Sequence, residues 1–297
     1  MTSTSVTAEQ LVAPIAAPNG GFAMVALDQR ESLRRMFPPV GEGEVADDVL
    51  REFKSSAIAE LSPLASGILL DRPLAVTTDR PAGIAEGCGL ILAADVLEQP
   101  PGSPVVDTAL DRLITPEFIA HVGAVAIKFL VIWRPDGSEG HRETLVREFV
   151  QLAADAGVAS LVEGIVRPAE GAEFADAAER HRAILEAAAE LSSYGGTIYK
   201  AEVPGYTPGD LSRVREQSER MSEVVDVPWV VLSNGTRQED FAGGLREACL
   251  GGAHGFLAGR AVWSDTVAEA DPAAAIRERS TQRLRELAAI VAETVGS

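Results

Sequence analysis

The chain has 297 residues, of which 46% are hydrophobic, and a formal net charge of −18. That length and apolar content allow a large core, in one α/β barrel or in two ordinary domains. The acid excess removes the basic footprint that nucleic-acid binding needs, but local cations can still form a pocket for small anions inside an acidic shell.

Cys88 and Cys249 lie far apart with no metal-ligand spacing, as expected of buried thiols in a reducing compartment. The first 20 residues lack a cationic stretch followed by an apolar one. No apolar run approaches the ~18 residues of a membrane span. The expectation is a cytoplasmic protein with neither membrane nor nucleic-acid partners.

In chain order, residues 1–20 form an N-terminal segment. Thr7 and Gln10 have capping-box spacing for a short helix, and Pro18 to Gly21 make a turn. FAMVAL (22–27) has strand length and runs into Asp28, Gln29 and Arg30; residues 45–61 then have helical spacing. SGILL (66–70) leads to Asp71, and LILAAD (90–95) leads to a Pro/Gly-rich loop at 99–104. VAIKFLVIW (125–133) carries Lys128, and a helix around 141–156 follows it. ASLVEGIV (159–166) carries Glu163, and a helix over about 170–192 reaches GGTIYKAEV with Lys200. Asp210 is placed to cap a helix running through about 224. PWVVLSNG (228–235), a helix over 238–250, AHGFLAGR (253–260) and an amphipathic helix over 271–295 complete the chain.

Strands alternating with helices indicate a parallel sheet. Eight apolar runs in this length fit a closed (β/α)8 barrel, and no GxGxxG follows the first run to suggest a dinucleotide-binding domain. The chain thus divides into residues 1–20, a segment or short helix, and 21–297, a single-domain TIM barrel including the C-terminal helix.

Barrel enzymes work at the C-terminal ends of their strands. There the sequence places Asp28, Gln29, Arg30, Asp71, Asp95, Lys128, Glu163, Lys200, Ser233 to Gly235, Gly259 and Arg260. The chain holds only three lysines, Lys54, Lys128 and Lys200, among 26 basic residues. A guanidinium cannot serve as a free amine, because its pKa stays above ~12. An amine next to a second cation and partly desolvated has a depressed pKa and can attack a ketone. The resulting iminium draws electrons out of a neighbouring carbon–carbon bond, with Glu163 or Asp28 moving the protons. An interior Lys–carboxylate ion pair accounts for the same residues, and the spacing alone leaves both readings open.

Ser233, Gly235, Gly259 and Arg260 follow the last two runs, where many barrels bind phosphate. His121, His141, His181 and His254 form no paired metal-ligand spacing, which disfavours a zinc-dependent aldol mechanism.

FAMVALDQRESLRRMF, LSPLASGILLD, AIKFLVIWR, LVEGIVRP, IYKAEVP, PWVVLSNG and GFLAGRAVW together resemble the class I aldolases of the tagatose-bisphosphate aldolase family, and within it the sulfofructosephosphate aldolase branch. The resemblance implies a metal-independent lyase that needs no cofactor. In it Lys200 matches the Schiff-base lysine, Lys128 the auxiliary lysine, Glu163 the acid/base and Asp28 the first-strand aspartate. Ser233, Gly235, Gly259 and Arg260 match anion-binding positions, and Gln29, Arg30 and Arg260 are candidates for a sulfonate.

Asp28 to Glu31 and Val166 to Pro168 favour the sulfosugar branch, hence cleavage of 6-deoxy-6-sulfofructose 1-phosphate to dihydroxyacetone phosphate and 3-sulfolactaldehyde. Alternatives are tagatose 1,6-bisphosphate, a broader range of ketose bisphosphates, a non-catalytic sugar-phosphate-binding barrel, or an isomerase with Glu163 as base. The expected partner is a small anionic sugar phosphate. Homo-oligomer formation is allowed through apolar residues near Trp263 or on the last helix.

Overall fold

In the computed structural model, which describes residues 7–38, 44–100 and 103–295, ten strands follow one another along the chain. They are β1 (Phe22–Leu27), β2 (Gly67–Asp71), β3 (Gly89–Ala93), β4 (Asp95–Glu98), β5 (Asp107–Leu110), β6 (Ala126–Trp133), β7 (Ala159–Val166), β8 (Ile198–Glu202), β9 (Trp229–Leu232) and β10 (Gly255–Ala258). Eight of them close into a parallel barrel in the order β1-β10-β9-β8-β7-β6-β3-β2. Val25 beside Ala258 and Val25 beside Ile68 mark the two seams of β1. These strands read as continuous apolar runs because helices cover one face and the barrel interior covers the other. All six residues of β1 and all eight of β7 are buried.

β4 and β5 form an antiparallel hairpin inserted between β3 and its barrel partner β6. The apolar run LILAAD predicts a third strand to Asp95 followed by a loop. In the structure β3 stops at Ala93, and Asp95 opens the hairpin. Residues 101–102 of the expected loop lie outside the described residues, as do 1–6, 39–43 and 296–297 of the two expected regions.

The helix expected over 141–156 begins earlier, at Glu139, because Ser138 caps it by accepting from His141 N. Its end is fixed by Gly157, whose φ of 67° is the left-handed conformation that glycine adopts without strain. The helix expected from 170 starts only at Ala177, where the Asp176 carboxylate accepts from Glu179 N. Asp210 does not cap the next helix, which begins at Val214; its carboxylate accepts from Ser212 N in the preceding turn. A helix at Pro116–Val122, capped by Thr115, is absent from the sequence reading. The stretch expected as one final helix contains a wider π turn at Ile276–Ser280 before Thr281–Thr294.

The capping box at Thr7 forms as expected and starts a short helix, Ala8–Val12. It delivers Ile15, fully buried, into the bottom of the barrel among Phe22, Met24, Ile91, Ala126 and Leu257. A side chain at Gly89 would meet Ile15 Cγ2 at 2.5 Å and Pro14 O at 2.6 Å, so the floor needs glycine there. Trp263, expected near an association surface, is also fully buried, and its indole N–H donates to Ala26 O at 3.0 Å. On the last helix Leu284, Leu287 and Val291 are likewise buried. Among the described residues no helix is long and apolar enough to cross a membrane.

Candidate active site

Side chains alternate along a strand, so residues two apart share a face. The inner core of the barrel includes Ala26 on β1, Ala93 on β3, Ala126 on β6, Leu161 on β7, Ile198 on β8 and Leu257 on β10. One step of two residues beyond each lies Asp28, Asp95, Lys128, Glu163, Lys200 and Gly259. The apolar interior therefore gives way to a ring of charge at the C-terminal mouth. In the β7–β8 register Glu163 stands directly beside Lys200.

Lys128 Nζ lies 2.6 Å from Asp28 Oδ2, 2.8 Å from Asp95 Oδ2 and 3.3 Å from Glu163 Oε2. Lys200 Nζ donates to that same Glu163 Oε2 at 3.0 Å. Glu163 thus bridges the two amines, in place of the cation-to-cation contact by which the sequence reading activated Lys200. Burial disfavours the Lys128 ammonium, but the three carboxylates outweigh it and hold the group well above the usual lysine value. Burial pushes the Asp28 carboxyl up. The charges of Lys128 and Lys200 overcome that and hold it well below the usual carboxylate range.

These groups border a cavity of about 310 Å³. Of the residues singled out in the sequence, Asp28, Gln29, Lys128, Glu163, Lys200, Ser233, Gly259 and Arg260 line it. Arg30 and Gly235 are not among the lining residues. The Arg30 guanidinium turns back to donate to the Asp95 carbonyl at 2.8 Å and carboxylate at 3.1 Å. Gly235, with φ 77°, packs against Arg180, whose Nη2 would lie 3.1 Å from a side chain placed there.

Arg260 donates to the Asn234 side-chain oxygen. Asn234 in turn approaches Glu202 Oε1 at 3.4 Å, and Arg180 donates to the same oxygen at 2.7 Å. Gly259 lets the β10 end come close to β1, since a side chain there would sit 2.7 Å from Ala26 O and 2.8 Å from Gln29 Nε2. The Gln29 side-chain oxygen is buried without a hydrogen-bond partner among the described residues.

In the sequence Asp95 is a strand-end carboxylate, Asn234 a member of the Ser233 to Gly235 anion loop and Arg167 part of the Val166 to Pro168 marker, none with an individual role. Asp95 joins Lys128, Arg30 and the Leu130 amide (3.2 Å) through one carboxylate. The period of two from Ala93 was the signal that pointed to it. Arg167 and Asn234 line the cavity, as do Ser32, Arg35 and Gln99. No group of three or more His, Cys, Asp or Glu side chains among the described residues has metal-holding geometry. The carboxylates that do gather here surround the Lys128 ammonium.

The third lysine is elsewhere. Lys54, on the helix Asp47–Leu61, donates to Leu27 O at 2.6 Å and pairs with Asp71 at the end of β2. The other Asp71 oxygen accepts from Leu74 N at 2.8 Å. Neither Lys54 nor Asp71 lines the cavity.

A sequence model for the DeoC/LacD family aldolases matches residues 22–265. A protein of Enterococcus faecalis named tagatose 1,6-diphosphate aldolase 2 is 27% identical over 95% of this chain and 93% of its own length. A tagatose 1,6-diphosphate aldolase of Listeria monocytogenes is 26% identical over 84% of this chain and 79% of its own. Among solved structures, a fructose-bisphosphate aldolase from Plasmodium falciparum superposes with a TM-score of 0.70 at 13% identity, covering 98% of this chain and 94% of that one. An archaeal fructose 1,6-bisphosphate aldolase gives 0.64 at 17%, covering 96% and 99%. At those identities the structural likeness concerns the barrel fold.

Proposed function

Because the chain belongs to the DeoC/LacD family of aldolases, and so is a carbon–carbon lyase, we propose that it cleaves a ketose phosphate through an iminium formed on Lys200. One observation carries this reading: Lys200 Nζ and Glu163 Oε2 lie 3.0 Å apart on the wall of the cavity. Proton transfer from the ammonium to the carboxylate yields a free amine and a neutral acid in one move. The amine attacks the ketone carbon, and Glu163 returns the proton to the carbinolamine oxygen, which leaves as water. The iminium then accepts the electron pair of the C3–C4 bond as a base removes the C4 hydroxyl proton, releasing an aldehyde and leaving an enamine. Protonation of the enamine carbon and hydrolysis free dihydroxyacetone phosphate and restore Lys200. Lys128, held charged by three carboxylates, supplies a fixed positive potential beside the reacting carbons.

Ser233, Gly259 and Arg260 receive the phosphate next to the ketone, with a charge-assisted fork from Arg260. The ketose favoured by Asp28 to Glu31 and Val166 to Pro168 is 6-deoxy-6-sulfofructose 1-phosphate, with 3-sulfolactaldehyde as second product. Of the two sulfonate candidates after β1, Gln29 lines the cavity beside Gly259, whereas the Arg30 guanidinium is occupied by Asp95. A second reading, tagatose 1,6-bisphosphate, is favoured by the names of the relatives.

Borohydride reduction with dihydroxyacetone phosphate, followed by peptide mass mapping, tests the chemistry. The expected result is an adduct on the peptide carrying Lys200, and an absence of adduct on any lysine overturns it. Side-by-side cleavage of the two ketoses tests the substrate, and equal rates would remove the sulfosugar assignment.

A further inference from the structure

The chain carries 44 acidic residues against 26 lysines and arginines. In such an excess of carboxylates, a guanidinium on a cavity wall that finds none to pair with among the described residues stands out. Arg167 is one. Its Nη1 donates to the neighbouring Val166 O at 3.1 Å, and its buried Nε has no partner among the described residues. Glu202 is the carboxylate whose charge acts on it, but Glu202 is already engaged by Arg180 at 2.7 Å and by Val166 N at 3.0 Å. Burial disfavours the Arg167 cation, and Arg134, Arg180 and Arg260 add repulsion. What is missing at this point is a negative charge.

The order of strands says which part of a substrate supplies it. Lys200 on β8 has β9 and β10 to one side, with Ser233 and Arg260 at their ends. To its other side is β7, whose inward series runs Glu163, Ile165, Arg167 at steps of two, all three lining the cavity. A ketose joined to Lys200 with its adjacent phosphate toward β9 and β10 extends its remaining carbons along β7. Glu163 meets the hydroxyls near the reacting bond. Ile165, with Ile132 of β6, flanks the chain beyond it.

We propose that Arg167 is the residue that selects substrates with a second, distal tetrahedral oxyanion, a phosphate monoester or a sulfonate. The direction assigned to the substrate rests on the iminium at Lys200, and the residue deepens that reading by naming what the far end must carry. A planar guanidinium offers paired donors to such a group.

Calorimetric titration of the full chain with hexitols tests this without any reaction, since a hexitol has no carbonyl. The probes are glucitol 1-phosphate, glucitol 1,6-bisphosphate and the 6-deoxy-6-sulfo analogue of the monophosphate. In the wild type the two probes with a second oxyanion should bind about tenfold or more tighter than the monophosphate. Arg167→Leu should bring at least one of these ratios to within about twofold of unity, and Arg167→Lys should retain part of it. The probe with the larger drop identifies the oxyanion. Ratios unchanged in Arg167→Leu, or an equal loss for all three probes, would overturn the assignment. If Arg167→Leu fails to fold, the Arg167→Lys ratios decide alone, and unchanged ratios there overturn it. Failure of the iminium reading shows instead as a missing borohydride adduct, which these titrations do not depend on.

Discussion

Two regions of this protein bury a lysine beside an aspartate, and they are built for different ends. Lys54, Lys128 and Lys200 are 1%, 1% and 3% exposed, so burial does not tell them apart. Lys54 is closed in between a helix and the ends of β1 and β2, with its donors spent on Leu27 O and Asp71. Lys128 and Lys200 face a cavity and share Glu163. A buried ion pair replaces solvation and holds two elements together. A buried pair with an open side can also exchange its proton with something that enters. Access, more than burial, separates structural from chemical lysine here.

The largest effect should come from Lys200→Ala, which removes the amine while leaving Glu163 paired with Lys128 at 3.3 Å. The turnover number should fall by about 10⁴-fold or more, with the urea midpoint little changed; a large loss of stability would erase the contrast with Lys54. Glu163→Gln should lower turnover by about 10²–10⁴-fold, the range for a general acid/base, measured with protein shown folded by circular dichroism.

Lys54→Met should do the reverse. It strands Asp71 as an unpaired buried carboxylate and should cost about 3–5 kcal/mol in urea unfolding, with the turnover of the folded fraction kept. The double change Lys54→Met with Asp71→Leu should recover most of that loss. Turnover lost together with stability would mean that the two regions act as one.

The smallest and sharpest contrast is in pH dependence. Burial pushes the Lys54 amine below its usual value, more than Asp71 can offset. The unfolded chain then binds the extra proton just below the ordinary lysine pKa of about 10.4, so stability from this site rises as pH climbs toward that value. Lys128 is shifted upward, so its contribution is complete below about 10.4 and is lost only as pH rises through the higher folded value. Asp28 is shifted downward, so its contribution holds above about pH 3.9 and fades as pH falls toward the folded value. Unfolding free energies of Lys54→Met and wild type between pH 8 and 10 should therefore diverge in slope, with the wild type rising more. Equal slopes would contradict the placement of Lys54.

The barrel was legible because its strands are mostly apolar runs, and the site because the charges that interrupt or follow those runs fall two residues beyond the apolar interior positions. What escaped depended on neighbours that no local pattern encodes. A period of two put Asp95 at the mouth, but its partners Lys128 and Arg30 come from other strand ends. Arg30 read as a ligand donor beside Asp28, yet it reaches across to Asp95. Lys54 sat in a helical repeat with nothing to mark it as buried; its partner is 17 residues away on a strand the helix covers. Trp263 followed a strand-end arginine and is nonetheless core.

The floor set by Ile15 and Gly89 bears on the order of kinetic events. With that end of the barrel filled, a ketose reaching Lys200 through the cavity mouth passes the same lining residues as the fragments that leave there. On the iminium reading one fragment is tethered to Lys200 while the other is loose. The loose aldehyde is free to leave at once, while the tethered fragment still needs protonation and hydrolysis, which favours sequential release. On the same reading, the fragment that bonds to Lys200 loads first in the reverse direction.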